Sequence, residues 1–188
     1  MFLYWVGSQG QIHEELTSRL DLRSPHPIWT AAGSNPVSVM KATVVTWLLL
    51  NTYKTGEKLY KMRKVRSPEC VLCQNPVEDQ VHFTLRCPVL FPIRSQYINE
   101  FLELCPSLVK YTTDERIFLL SLLDPFSPLV PAEVRESWTD KDQVYRTSRN
   151  FFYDLHKKRE KVVEKTGRHL TKEDESDKTN IIVELYTK

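Results

Sequence analysis

Cys70-Val-Leu-Cys73-Gln-Asn-Pro-Val-Glu-Asp-Gln-Val-His82-Phe-Thr-Leu-Arg-Cys87 is the stretch around which the chain is organised. Its pattern is Cys-x2-Cys-x8-His-x4-Cys. Three thiols and one imidazole make a full ligand set for tetrahedral zinc, and four protein ligands leave no coordination position for water or substrate. The array therefore reads as a structural site with Cys70, Cys73, His82 and Cys87 as ligands and Zn as the cofactor. A chance cluster of buried cysteines and a Cys-x-x-Cys redox motif are the competing readings. The redox motif belongs in a βαβ setting, and the flanks here read as helical. Disulfide pairing would leave the histidine in register without a role.

Working outward, Pro68 sets the Cys-x2-Cys turn apart from what precedes it, and Asn75-Pro76 signals a turn. From Val77 the sequence suits a helix with Glu78 and Asp79 in its first turn, where acids are favoured. That helix would carry His82 and end at Cys87, before Pro88. Glu78 and Asp79 lie four and three residues before His82, so either is a candidate to accept a hydrogen bond from its other ring nitrogen and hold the imidazole toward the metal. The plain alternative is that both are ordinary acids of a helix start.

Upstream, Lys54, Lys58, Lys61, Arg63, Lys64 and Arg66 stand against one acid, Glu57, with Tyr53 and Tyr60 interleaved. Cations can neutralise phosphates and aromatic rings can stack bases, so these six are the candidate nucleic-acid contacts, with RNA or DNA as partner. A solvated helix face is the competing reading. It is favoured by the whole-chain balance of 26 basic and 24 acidic residues, a net charge of +2.

The rest of the chain reads as helices. Asn35 and Pro36 suit the cap and first position of a helix over 36–52. Its Val37, Met40, Val44, Trp47 and Leu48 fall at helical spacing, with Leu49 and Leu50 on the flank, so burial on most sides is expected. A helix over 89–104 carries Leu90, Ile93, Tyr97, Phe101 and Leu104 on one face, with Arg94, Asn99 and Glu100 facing away. Thr113 suits the cap of a short buried helix over 114–123. Asp124 to Pro131 is a proline-broken loop. A last long helix over 142–165 has Val144, Ser148, Phe151, Phe152, Leu155 and Val162 inside. Arg146, Arg149, Lys157, Lys158, Arg159, Lys161 and Lys165 fall on its outer side. Cys105 lies outside the array and reads as a small buried hydrophobe. No strand pair is evident. The expected fold is all-α, about five helices around a small core with the knuckle between the second and third. Residues 35–165 form the domain, 1–34 an N-terminal extension, and 166–188 a polar, disordered tail. Within the extension, Ser8 to Leu22 suits a helix and Phe2 to Val6 is apolar enough to want a partner.

With 188 residues and 41% hydrophobic content, the chain can bury a core of its own. The first apolar stretch is too short for a secretory leader and lacks a basic lead. Val44 to Leu50 is far short of a membrane span. Three of four cysteines in a metal-like array suit a reducing, intracellular compartment. No membrane partner and no small-molecule substrate is expected.

The residues Cys70-x-x-Cys73, Val77-Glu78-Asp79-x-x-His82-Phe83-x-Leu85-x-Cys87-Pro88 and Arg94 resemble the zinc-binding-like C-terminal segment of non-LTR retrotransposon reverse transcriptases. Leu50 to Gly56 is similar to the stretch before that knuckle, and Tyr145 to Arg159 to the tail after it. The resemblance spans about residues 36–160 and is most specific at the knuckle. It implies a module that follows a polymerase domain and helps to hold RNA or target DNA, with that reverse transcriptase domain as a further partner. No Asp-Asp pair for two-metal polymerase chemistry occurs in the chain, and no endonuclease constellation is visible. The expectation is a non-enzymatic piece of such an element. The alternative is a zinc-stapled structural or protein-interaction domain that binds no nucleic acid.

Overall fold

Among the described residues, the long helix over 141–166 is the spine against which three other helices pack. The computed structural model describes residues 26–166. The expected helix from Ser8 to Leu22, the apolar Phe2 to Val6 and the tail from 167 onward lie outside the described residues. Among the described residues all regular structure is helical. The α-helices are α1 (Pro27–Thr30), α2 (Pro36–Leu49), α3 (Gly56–Lys61), α4 (Phe91–Leu104), α5 (Glu115–Leu123), α6 (Ala132–Ser137) and α7 (Lys141–Thr166). A π-helical turn (His82–Arg86) and 3₁₀ turns (Pro88–Leu90 and Pro106–Tyr111) lie between them. The knuckle sits between α3 and α4. The all-α expectation holds, and the added helices α1, α3 and α6 are each six residues or fewer.

Helix starts follow local chemistry. Asn35 Oδ1 accepts from the backbone N–H groups of Val37 and Ser38 at 3.0 and 3.1 Å, and Pro36 opens α2. In α5 the cap is Asp114, whose Oδ1 accepts from Arg116 and Ile117 N–H at 3.1 Å. Thr113, expected in that role, stands one residue outside. Asp140 Oδ1 accepts from Gln143 N–H at the start of α7.

α7 packs against α1, α2 and α4. Its Phe151, Phe152 and Leu155 are wholly buried, and the rings of Phe101 on α4 and Phe151 meet edge to face at 6.1 Å. Ile28 and Ala32 belong to the same core, so the helical body reaches beyond the boundary expected at residue 35. Three expectations about faces are corrected. Ala42, Val44, Val45 and Leu48 are the buried side of α2, while Val37, Met40 and Trp47 are exposed. The helix is covered on one side because α7 and α1 lie on that side. On α7, Arg149 and Arg159 are buried, not on an outer basic face, since each finds a partner inside. Arg94 on α4 likewise turns inward.

Candidate metal centre

The first two ligands come from a tight loop. Gln74 N–H donates to the Cys70 carbonyl, Cys70 N–H to the Asn75 carbonyl, both at 2.9 Å. Gln74 closes the turn in the left-handed region at φ 62°. Asn75 Oδ1 then accepts from Val77 N–H at 3.2 Å, a local turn that releases the chain toward Glu78.

A helix from Val77 was expected, but residues 77–79 are not helical. Backbone pairing elsewhere explains this. Glu78 N–H donates to the Pro68 carbonyl at 2.8 Å, and the Glu78 carbonyl accepts from Glu57 N–H at 3.0 Å. Helix begins only at Gln80, with Asp79 Oδ1 accepting from His82 N–H at 2.6 Å in the manner of a cap.

The last two ligands depend on a π turn. Residues five apart on an α-helix are separated by about 140° around the axis, so His82 and Cys87 would diverge. Cys87 N–H instead donates to the His82 carbonyl at 2.7 Å, an i→i+5 bond. That wider ring places the two residues about one turn apart, on the same side. Pro88 then ends the segment and starts the 3₁₀ turn that leads into α4.

The result brings all four expected ligands together. One ligand atom from each of Cys70, Cys73, His82 and Cys87 lies within 4.8 Å of the others. Cys70 Sγ and Cys87 Sγ are 3.9 Å apart, and Cys73 Sγ and His82 Nε2 are 3.2 Å apart. A tetrahedron with Zn–S bonds of about 2.3 Å has S···S edges of about 3.8 Å. The donor set and its spacing fit a zinc ion. All four of the chain's cysteines are free of disulfides. Cys70, His82 and Cys87 are buried and Cys73 is half-buried.

Protonation suits the same role. Burial pushes the His82 pKa down, toward the neutral imidazole that a metal needs. The hydrogen bond between Cys70 and Cys87 raises the first thiol and lowers the second, and burial raises Cys73. A metal bound there would draw the protons from the thiols.

Around the ligands, the acids act differently from expectation. Neither Glu78 nor Asp79 is hydrogen-bonded to the His82 imidazole. Asp79 binds the His82 backbone. Glu78 Oε1 lies 3.7 Å from Cys70 Sγ, and its Oε2 accepts from Gly56 N–H at 2.6 Å. Both Glu78 oxygens also accept from Arg159. Arg159 in turn lies 5.7 Å from the centroid of the Tyr53 ring, which stacks on Phe83 at 4.8 Å. Burial opposes the Arg159 charge, but the Glu78 carboxylate outweighs it and its pKa is raised. Sequence spacing missed this pair because 81 residues separate its members. Arg94 Nη2 donates to the Cys87 carbonyl at 3.1 Å while Nη1 has no partner among the described residues, and burial lowers its pKa. Its place in the quoted resemblance was the one signal that it belonged beside the knuckle.

The six basic candidates upstream divide. Lys61 pairs with Glu57 at 2.6 Å, and Lys58 Nζ donates to the Asn51 carbonyl at 2.9 Å. Lys54, Arg63, Lys64 and Arg66 are exposed, as is Tyr60, whereas Tyr53 is buried and closed to a base. No helix among the described residues is long and apolar enough to cross a membrane.

No family model, curated protein or solved structure matches this chain.

Proposed function

We propose that this chain is a non-catalytic, zinc-stapled helical module that assists RNA or DNA binding, of the kind that follows the polymerase domain in the reverse transcriptases it resembles. The observation that carries the reading is the convergence of three thiols and one imidazole within 4.8 Å. Four protein ligands satisfy zinc, so the ion acts as a cross-link and not as a Lewis acid toward substrate. The exposed Lys54, Arg63 and Tyr60 beside the knuckle supply cations and a ring for a single strand.

Fluorescence anisotropy with labelled single-stranded RNA and DNA, titrated from low to high salt, tests this. The expected result is affinity that falls log-linearly with salt, at about 0.7 per phosphate neutralised. Binding that ignores salt, or no binding at low salt, overturns the nucleic-acid part and leaves the zinc staple.

The second reading, a zinc-stapled interaction domain without nucleic-acid affinity, is favoured by a specific observation. Tyr53, Lys58 and Lys61 are already engaged within the protein.

A further inference from the structure

Away from the knuckle, α1, α2 and the first turns of α7 enclose an open cleft of about 910 Å³. Lys41, Lys141, Arg146 and Arg149 line it, with Asp142 as the only acid among the described residues. Among the described residues none of these four cations is in a salt bridge. Arg149 is only 6% exposed, yet its one hydrogen bond goes to the neutral Ile28 carbonyl at 3.3 Å. Buried charges are ordinarily paired, and among the described residues no carboxylate stands within salt-bridge distance of this guanidinium, Asp142 acting on it only from farther off. Burial and the neighbouring Arg146 lower its pKa. The two lysines are held in place. Lys41 Nζ donates to Asn150 Oδ1 at 2.8 Å, and Lys141 Nζ lies 5.1 Å from the centroid of the Phe126 ring.

We propose that this cleft is a phosphate-binding site, built by Lys41, Lys141, Arg146 and Arg149 for a ligand carrying two or more phosphate groups. Fixed ammonium and guanidinium donors around a concave surface suit phosphate oxygens. The volume is that of a small-ligand site. The site is separate from the basic stretch at 54–66. Arg146 and Arg159 are 13 residues apart on α7, about 20 Å at 1.5 Å per residue, and Arg159 is the residue that meets the knuckle. The phosphates belong either to a nucleic-acid strand, in which case the inference rests on the proposed function, or to a free phosphorylated ligand.

The test uses the full chain loaded with zinc, tripolyphosphate as the small probe and a 20-nucleotide oligothymidylate as the strand. Lys141 and Arg146 are exposed, so Lys141→Glu/Arg146→Glu should fold as wild type by circular dichroism, with Arg146→Gln as a milder variant. Lys54→Glu/Arg63→Glu makes the same charge change near the knuckle. The cleft double variant should weaken tripolyphosphate binding by about tenfold or more, Arg146→Gln by less, and the 54/63 variant hardly at all. Loss of oligothymidylate affinity together with tripolyphosphate in the cleft variant identifies a strand. Loss of tripolyphosphate alone identifies a free phosphorylated ligand, and it supports the cleft even if wild type binds no strand. Tripolyphosphate binding that is absent, or equal in wild type and the cleft variant, overturns the proposal. The proposed function still stands in that case if strand binding persists and falls with the 54/63 variant.

Discussion

Glu78 and Arg159, 81 residues apart, form a bidentate ion pair at 2.9 and 2.8 Å with side chains 0% and 2% exposed. It joins the metal loop to the long C-terminal helix. The same carboxylate also holds the Gly56 amide and approaches Cys70, so one side chain ties α3, the knuckle and α7 together.

Removing Arg159 leaves the Glu78 carboxylate buried without its cation, and removing Glu78 leaves the buried Arg159 facing the more exposed Glu160 at 3.5 Å; breaking a buried pair in this way costs about 3–5 kcal/mol. Glu78→Gln should therefore lower unfolding free energy by that order in urea titrations. Arg159→Met should do the same. The double variant Glu78→Gln/Arg159→Met should lose less than the sum of the two, because no unpaired charge remains. Strict additivity would show that the pair does not act as a unit.

Gly56 opens α3 where the chain passes close to the loop before Cys70. A Cβ there would stand 2.7 Å from the Pro68 carbonyl oxygen and 2.8 Å from that of Glu69. Both are backbone atoms, and the Pro68 carbonyl is held by the bond it accepts from Glu78 N–H. Gly56→Ala should destabilise the folded chain by about 1–3 kcal/mol and weaken zinc retention, read by thermal unfolding and metal content. An unchanged melting temperature would mean that the loop shifts freely.

His156 on α7 meets Tyr53 at 3.1 Å between Nδ1 and the hydroxyl, and burial lowers its pKa. Above about pH 6.5, the ordinary histidine value, the ring is neutral both folded and unfolded and pH has no effect through it. As pH falls below 6.5 the unfolded chain takes up the proton first, so the folded state loses stability, by up to about 1.4 kcal/mol per pH unit. His156→Gln should flatten this part of the stability profile at fixed, saturating zinc. An unchanged slope would assign the pH dependence elsewhere.

Cys105 is the control among the thiols. Its sulfur lies 3.2 and 3.0 Å from the Ser107 and Ser137 hydroxyls, in a different part of the core from the ligands. Cys105→Ser should leave the zinc-to-protein ratio unchanged, while Cys73→Ser should lower it at equal free zinc. Equal loss in both variants would contradict the assigned ligand set.

What was legible in the sequence was whatever local chemistry decides. The ligand spacing, the Asn35-Pro36 helix start and the periodic Phe151, Phe152 and Leu155 can each be read within a few residues. What escaped is set by partners far along the chain. Glu78 and Asp79 look like helix-start acids, yet Glu78 is drawn out of the helix by pairing with Pro68 and Glu57. Arg149, Arg159 and Arg94 sit at positions that periodicity reads as outward, but carbonyls and a carboxylate from remote segments draw them inside. The π turn has no signature in residue type. Only the need to place His82 and Cys87 on one side, at a spacing an α-helix does not allow, points to it.

The most direct test of the account is the zinc-to-protein ratio of the purified chain, measured together with helical circular dichroism before and after chelation. Four converging ligands predict one zinc per chain, and removal of the metal should cost helicity around the knuckle and lower the melting temperature. A chain that carries no zinc, with helicity and melting temperature indifferent to chelator, would contradict it.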